Sequence, residues 1–447
     1  MSKTYRNEKL IAKQKALEKS QAADQFLAKK KDRGGKFWQI VEEAKKGKAV
    51  LSNFYDPNSL ASTIYEAFRG ERQLDNLERL FRVCEKSKLL EGGRFAIPYF
   101  GKDKNNSFIF GLKNLAHHSA HWIRRPEDFV CNSYNPLRYF SRLARHLFAK
   151  YEIPLFMDAA WFAAGGMTKT YQEWFIHLGT GQNIRTANHL PIEVTKKIAH
   201  YFMQAPNDYT ISQALRFGQI IAMGGSQRLC GAINGTRLGR EFNHEEFWST
   251  VIAWFAKNAM LDTIHVGPIV DYIHNQRFVP LPDVIRNGRI VERGLGPPQP
   301  GFCMKGRTPD VLLEQVDKWH KDTAKISKND PVEWLSCGIY GASYTEGQGA
   351  NRKYYTIREL TNSEALRIEG KAMKHCVASY ARSCAKGSNA IYSLKCDDER
   401  LATIEVLVAQ KQIGQARGKM NFKLSPVAAR IMQKWAAERG LMVSQWL

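Results

Sequence analysis

The residues that could carry out chemistry lie near the C-terminus. Glu405 stands within an otherwise apolar candidate strand, residues 401–408, in which Ala402, Ile404, Val406 and Val408 face one way. A carboxylate among such neighbours is either paired with a cation or used in a reaction. His375 lies before it and Arg417 after it. A glutamate as general base, a histidine as general acid and an arginine that binds phosphate can together transesterify a phosphodiester. We therefore predict His375, Glu405 and Arg417 as catalytic residues.

Three more polar residues could hold or orient a substrate. They are Tyr380, Gln415 and Asn421. Whether Gln415 or Arg417 shares a face of the sheet with Glu405 depends on the strand register, because a shift of one residue moves every side chain to the other face. An ion pair between Glu405 and Arg417 is the structural alternative to a catalytic role, and the sequence leaves both interpretations open.

Metal and nucleotide sites are not indicated. His117 and His121 are spaced as in a metalloprotease helix, but the glutamate of that motif is absent. The sequence also lacks a P-loop and a glycine-rich turn followed by a Rossmann pattern. The thiols and imidazole near the candidate site follow no spacing of a zinc module: His375, Cys376, Cys384 and Cys396. We therefore expect no metal and no cofactor.

A small α-β-β-β-α module must position these residues. Residues 361–364 form a capping-box pattern, which opens a long helix that ends near Gly387. A final helix covers about residues 426–439, after Ser425. Residues 353–360 are a candidate strand. Three further short strands with tight connections predict an antiparallel meander, residues 391–396, 401–408 and 412–417.

The remainder of the chain predicts an α+β protein with a mainly helical N-terminal body. Residues 37–277 have helical periodicity. Residues 278–308 are rich in proline and glycine, which predicts a long loop or linker without regular structure. We expect residues 1–36 to form a basic N-terminal arm and residues 309–447 to form the C-terminal module.

Composition excludes several classes of protein. The chain has 447 residues, of which 44% are hydrophobic, so wholesale disorder is not expected. Its eight cysteines form no Cys-x-x-Cys pair, which is typical of reduced thiols in the cytoplasm. No secretory signal is recognisable, and no apolar run reaches the roughly 18 residues of a membrane span. We therefore expect a cytoplasmic protein without a membrane segment.

The net charge of +23 indicates a polyanionic partner. Residues 1–50 and residues 365–447 each hold 14 basic and 6 acidic side chains. Lysine and arginine neutralise phosphates, so nucleic acid, either RNA or DNA, is the expected partner. A membrane surface is the lesser alternative, because no basic amphipathic helix with an aromatic face stands out.

Three motifs stand out near the C-terminus: residues 373–380 (MKHCVASY), 403–406 (TIEV) and 415–421 (QARGKMN). These motifs resemble the PcfJ-like family, found on conjugative plasmids and other mobile or bacterial loci. Residues 146–161 also look like the helical part of longer members. The resemblance implies a setting of plasmid transfer and a protein partner from the same locus, and it brings no established reaction with it.

Two functions of different classes fit these residues. The first is a metal-independent ribonuclease, in which Glu405 is the base, His375 the acid and Arg417 the phosphate ligand. The second is a non-catalytic scaffold or accessory protein that binds nucleic acid, in which His375, Glu405, Gln415 and Asn421 form a buried polar network. An open cleft lined by His375, Glu405 and Arg417 under positive potential favours the enzyme, and a sealed, fully hydrogen-bonded network favours the scaffold.

Overall fold

The computed structural model describes residues 37–46, 60–69, 72–85, 108–133, 135–162, 167–280, 284–286, 289–292, 294, 296–329, 332–374, 377–409 and 411–443. Contacts divide the chain after Leu147, so the described residues up to Leu147 form one unit and those from Phe148 onward form the other. The second unit contains helices of the body together with the C-terminal strands. The predicted arm, residues 1–36, lies outside the described residues.

The first unit is helical in its described part. In its third helix, Leu77, Leu80 and Phe81 recur on one face and are fully buried. Arg79 of the same helix forms a forked pair with Glu127, with N–O distances of 2.7 and 2.9 Å. The helices are residues 37–45 (α1), Leu60–Phe68 (α2), Leu74–Glu85 (α3), Phe108–His117 (α4) and Pro136–Phe148 (α5), whose last residue already belongs to the second unit.

Seven longer helices precede the strands of the C-terminal sheet in the described part of the second unit. They are Thr168–Gly179 (α6), Lys196–Met203 (α7), Ile211–Ala222 (α8), Gln227–Asn234 (α9), Glu245–Lys257 (α10), Val266–Phe278 (α11) and Pro309–Asn329 (α12). Thr210 and Gln213 cap α8 reciprocally. Gly218 allows α7 and α8 to pack closely, because a Cβ atom there would lie 2.8 Å from the carbonyl oxygen of Ile198. No helix in the described ranges is both long and apolar enough to cross a bilayer.

The segment between α11 and α12 contains a short hairpin. Its strands are Val284–Arg286 (β1) and Arg289–Glu292 (β2), paired antiparallel. The expectation that residues 278–308 hold no regular structure is therefore wrong for these residues. The prolines lie on either side of the hairpin, and the dipeptide between its strands, Asn287-Gly288, is the sequence most typical of a two-residue hairpin turn.

The C-terminal sheet has six strands in the order β3-β4-β5-β6-β7-β8. All neighbours are antiparallel except β7 and β8, which are parallel. The α+β class is confirmed, and the predicted meander is present. The first and last strands were not predicted. The strands are Ala342–Glu346 (β3), Lys353–Glu359 (β4), Asn389–Cys396 (β5), Glu399–Leu407 (β6), Gln412–Arg417 (β7) and Met442–Val443 (β8).

The long helix predicted from residue 361 to Gly387 is interrupted. Asn362 caps Ser363–Met373 (α13), which ends because Lys374 adopts a left-handed backbone conformation, with φ 53°. A right-handed helix cannot continue through such a residue. The chain resumes as a 3₁₀ turn, Val377–Tyr380, and a short helix, Ala381–Ala385 (α14). The prediction of one continuous helix is therefore wrong.

The two faces of the sheet have different environments. Ala402, Ile404 and Val406 of β6 belong to a buried cluster with the last helix, Pro426–Arg439 (α15), including Trp435. This alternation is the one predicted for β6. The other face carries Ile391, which packs in a smaller cluster with apolar residues of α13, α14 and the 3₁₀ turn. The polar residues of β6 and β7 share that second face.

Candidate functional site

A cavity of about 630 Å³ lies over the polar face of β5, β6 and β7. We call it the arginine cavity. Its other walls come from the turn that follows α9, from α11 and from the 3₁₀ turn before α14. The side chains that matter for its chemistry are Arg237, Arg240, Asp271, His274, Tyr380, Asn389, Thr403, Glu405, Gln415 and Arg417.

Four of the six predicted site residues line this cavity. They are Glu405, Arg417, Tyr380 and Gln415. His375 lies outside the described residues, and nothing is described for the side chain of Asn421. The structure therefore brings together the predicted base, the predicted phosphate ligand and two of the predicted substrate-binding residues.

The register of β6 and β7 decides which side chains of β7 share a face of the sheet with Glu405. Glu405 pairs directly with Gln415, and Thr403 pairs with Arg417. Glu405 and Arg417 are thus diagonal neighbours on one face, a relation that separates Cα atoms by roughly 7–8 Å. No ion pair between Glu405 and Arg417 is present in the described part of the chain, so the structural alternative of a salt bridge is wrong.

Glu405 is held by hydrogen bonds from neutral groups. Asn389 Nδ2 donates to Oε1 at 2.6 Å, and the Tyr380 hydroxyl donates to Oε2 at 3.5 Å. Burial raises the pKa of Glu405, and the charge of Arg240 opposes this change, as do the two hydrogen bonds. Burial and the charge of Glu405 in turn raise the pKa of Tyr380 well above its ordinary value of 10.0. A carboxyl with a raised pKa is suited to proton transfer nearer neutral pH.

Among the described residues, Arg417 is a buried cation without an anionic partner. It is only 8% exposed, and no described group accepts a hydrogen bond from its Nε–H. Burial and then the nearby charge of Arg240 lower the pKa of Arg417 to about 10. Both effects disfavour the charge, so a bound anion would relieve them.

Arg240 enters the same cavity from the helical part of the unit. Its Nη1 donates to the carbonyl oxygen of Gly414 at 2.6 Å, and its Nη2 lies 3.5 Å from Gln415 Oε1. The Nε–H of Arg240 is also buried and has no acceptor among the described residues. Two buried Nε–H donors without described acceptors, from Arg240 and Arg417, therefore belong to residues that line one cavity.

A buried network fixes the turn that carries Arg237 and Arg240. Arg216 of α8 is fully buried and pairs with Glu245 of α10, at 2.7 Å between Nη1 and Oε1. The same guanidinium donates to the carbonyl oxygen of Leu238 at 2.8 Å. Gly239 is needed for the tight turn, because a Cβ atom there would lie 2.5 Å from a backbone oxygen of α9. Arg240 is consequently anchored by the fold before any ligand binds.

Two residues of α11, Asp271 and His274, complete the polar lining. They lie three residues apart and so share a helix face. Burial and the charges of Arg237 and His244 lower the pKa of His274 to about 3. Its imidazole is therefore neutral at physiological pH, which suits a hydrogen-bonding group rather than a general acid or base.

Sequence reasoning missed the whole contribution of the helical body to this site. The signals were an Arg-x-x-Arg pair within a glycine-flanked turn, residues 235–240, and an Asp-x-x-His pair in a helix, residues 271–274. Both patterns are common on protein surfaces, and only the fold places them opposite Glu405. Among the described residues, no group of three or more His, Cys, Asp or Glu side chains could hold a metal ion.

Comparisons with known proteins bear on the C-terminal module. Residues 307–430 match the family model described as PcfJ-like protein. Neither the search of curated proteins nor the search of solved structures gave a match. The matched range includes Glu405 and Arg417, whereas Arg240 and α11 lie outside it. Over residues 307–430, this chain is therefore similar to the PcfJ-like family that its C-terminal motifs resemble.

Proposed function

We propose that the protein binds nucleic acid and cleaves RNA at the arginine cavity without a metal ion. The observation that carries the proposal is the pair of guanidinium groups of Arg240 and Arg417, whose buried Nε–H donors lack acceptors among the described residues and line one cavity with Glu405. A phosphodiester would supply acceptor oxygens for these donors and a negative charge beside the two guanidinium groups. The net charge of +23 supports a polyanionic ligand.

The proposed reaction is transesterification at phosphorus. Glu405 accepts the proton of the 2′-hydroxyl while the 2′-oxygen bonds to phosphorus. The bond from phosphorus to the 5′-oxygen breaks, and that oxygen takes a proton from an acid, for which His375 is the candidate from the sequence. Arg240 and Arg417 stabilise the negative charge that develops on the phosphoryl oxygens. Tyr380 and Gln415 orient the ribose and the phosphate.

A non-catalytic scaffold is the alternative function. It would need the polar residues of this face to form a sealed, fully hydrogen-bonded network. The cavity volume and the two Nε–H donors that lack acceptors among the described residues favour a ligand-binding site instead. The resemblance to the PcfJ-like family supports, as part of this proposal, a cytoplasmic role in plasmid transfer or another mobile-element system, with a protein partner from the same locus.

Cleavage is tested by incubating the full chain with labelled single-stranded RNA, transfer RNA and DNA, with and without EDTA. Loss of a general base lowers a rate by about 10²- to 10⁴-fold, so Glu405→Gln should nearly abolish RNA cleavage. Glu399→Gln is the matched control, because it makes the same change at an exposed position of the same strand. Cleavage that needs a metal ion, or that survives in Glu405→Gln, would contradict the mechanism.

Binding is tested separately by titrating the same labelled RNA at two salt concentrations. Arg417→Gln should weaken binding and reduce the slope of log affinity against log salt by about 1, because one phosphate contact is lost. Salt-dependent binding without cleavage of any substrate would support the scaffold. Absence of both binding and cleavage would refute the nucleic-acid proposal altogether.

A further inference from the structure

A second cavity of about 400 Å³ shares part of its wall with the arginine cavity. Gly235, Gly267 and Arg417 line both cavities. The Arg417 side chain therefore stands at their junction. A ligand whose phosphate contacts Arg417 can place its next chemical group in the second cavity, which falls within the size range of small-molecule sites.

The second cavity has the lining that a flat, polar ring requires. Phe422 contributes an aromatic ring and is 52% exposed. Asn234 is only 6% exposed, and its Oδ1 atom accepts no hydrogen bond from the described residues. Arg228 and Lys423 add positive charge to the wall, and Asp208 adds a negative charge. Arg228 also forms an ion pair with Asp262 at 3.5 Å. Aromatic surface, an unsatisfied amide oxygen and nearby cations occur together here.

We propose that the second cavity binds a nucleobase of the nucleic acid whose phosphate lies at Arg417. A base would stack on Phe422 and donate a ring or exocyclic N–H to Asn234 Oδ1. The cations would hold the flanking phosphates. This inference rests on the proposed function, and it adds that the protein reads a base beside the phosphate that it binds.

The test compares two fluorescent probes of equal charge by anisotropy. One is a four-nucleotide 2′-O-methyl RNA, which cannot be cleaved through its 2′-hydroxyls, and the other is a four-unit phosphodiester of abasic tetrahydrofuran spacers. Wild type should bind the probe with bases roughly tenfold more tightly, as expected for stacking of one base. Phe422→Ala should remove most of that difference and leave binding of the abasic probe unchanged.

Two further variants keep this test interpretable. Val427→Ala is the control, because it truncates another exposed apolar side chain that lines neither cavity. Asn234→Leu should also lower the preference for the probe with bases, because it removes the acceptor, Asn234 Oδ1, of the proposed hydrogen bond from the base. Equal affinities of the two probes for wild type, with Arg417→Gln weakening both, would overturn the base site and leave the proposed function standing. No salt-dependent binding of either probe would overturn both.

Discussion

Replacing Arg417 with methionine is expected to stabilise the fold while removing affinity for phosphate. Burial and the charge of Arg240 lower the pKa of Arg417 from 12.5 to about 10. A difference of about 2.5 in pKa corresponds to about 3 kcal/mol. Because the pKa of this base is lower in the folded state, the charge costs stability at every pH below 10. That cost fades as the pH rises from 10 to 12.5.

The expected gain is smaller than the full electrostatic cost. Methionine keeps an unbranched apolar stem but loses the contacts of the guanidinium, which offsets part of the benefit. We therefore expect Arg417→Met to raise the free energy of unfolding by about 1–3 kcal/mol at pH 7. Arg358→Met is the matched control, because Arg358 is exposed on β4 and its replacement should change stability by less than about 0.5 kcal/mol.

Amide hydrogen exchange of β6 and β7 measures this change where it occurs. The expected gain slows exchange of those strands by about 5- to 150-fold. Inorganic phosphate should slow exchange of the wild type further, since a ligand that binds the folded state stabilises it, and should have no such effect on Arg417→Met. A variant that exchanges faster than wild type, with a phosphate response like that of wild type, would refute the account of Arg417 as an unpaired cation.

Three further outcomes follow from the same contacts. Glu405→Gln should be more stable than wild type at pH 7 and equally stable below about pH 4.5, because a pKa that is raised in the folded state means that ionised Glu405 destabilises the fold. Thermal unfolding across pH measures this, and a difference in stability that does not change with pH would contradict it. Glu369→Ala should lower the stability of the module by about 3 kcal/mol, because it leaves Arg400 and Thr403 without the buried carboxylate to which they donate at 2.7 and 2.8 Å. Unchanged urea unfolding would contradict this. Gly239→Ala should lower the free energy of unfolding by about 1–3 kcal/mol and weaken RNA binding, because the added methyl group displaces the turn that carries Arg240. A variant that binds RNA normally would show that the turn does not position the site.

The local sequence predicted the elements of the C-terminal module more accurately than their connections. Alternation of apolar residues predicted the buried face of β6, and Ser425 correctly marked the start of α15, whose first turn it caps. The break after α13 could not be predicted, because Lys374 carries no preference for a left-handed backbone. Nothing in the local pattern of β8 distinguishes its two residues from a loop.

The site was predictable only where it lies on the module itself. Glu405 was recognisable because a carboxylate is unusual in an apolar strand. Its relation to Arg417 required the register of β6 and β7, which is interrupted by an irregularity after Glu405. Arg240 is 165 residues from Glu405 in sequence, and its place opposite the sheet results from tertiary packing around Arg216. No local sequence pattern predicts a contact between residues so far apart in the chain.

The most direct test of the central claim is the single-turnover rate of RNA cleavage in EDTA as a function of pH. For wild type and Glu399→Gln we predict cleavage whose rate rises with pH through an apparent pKa above 4.5, the ordinary value for glutamate, because burial raises the pKa of Glu405. Glu405→Gln should lack this pH-dependent reaction. Equal rates for Glu405→Gln and wild type, or no cleavage of any RNA by the wild type, would contradict the assignment of this cavity as a ribonuclease site.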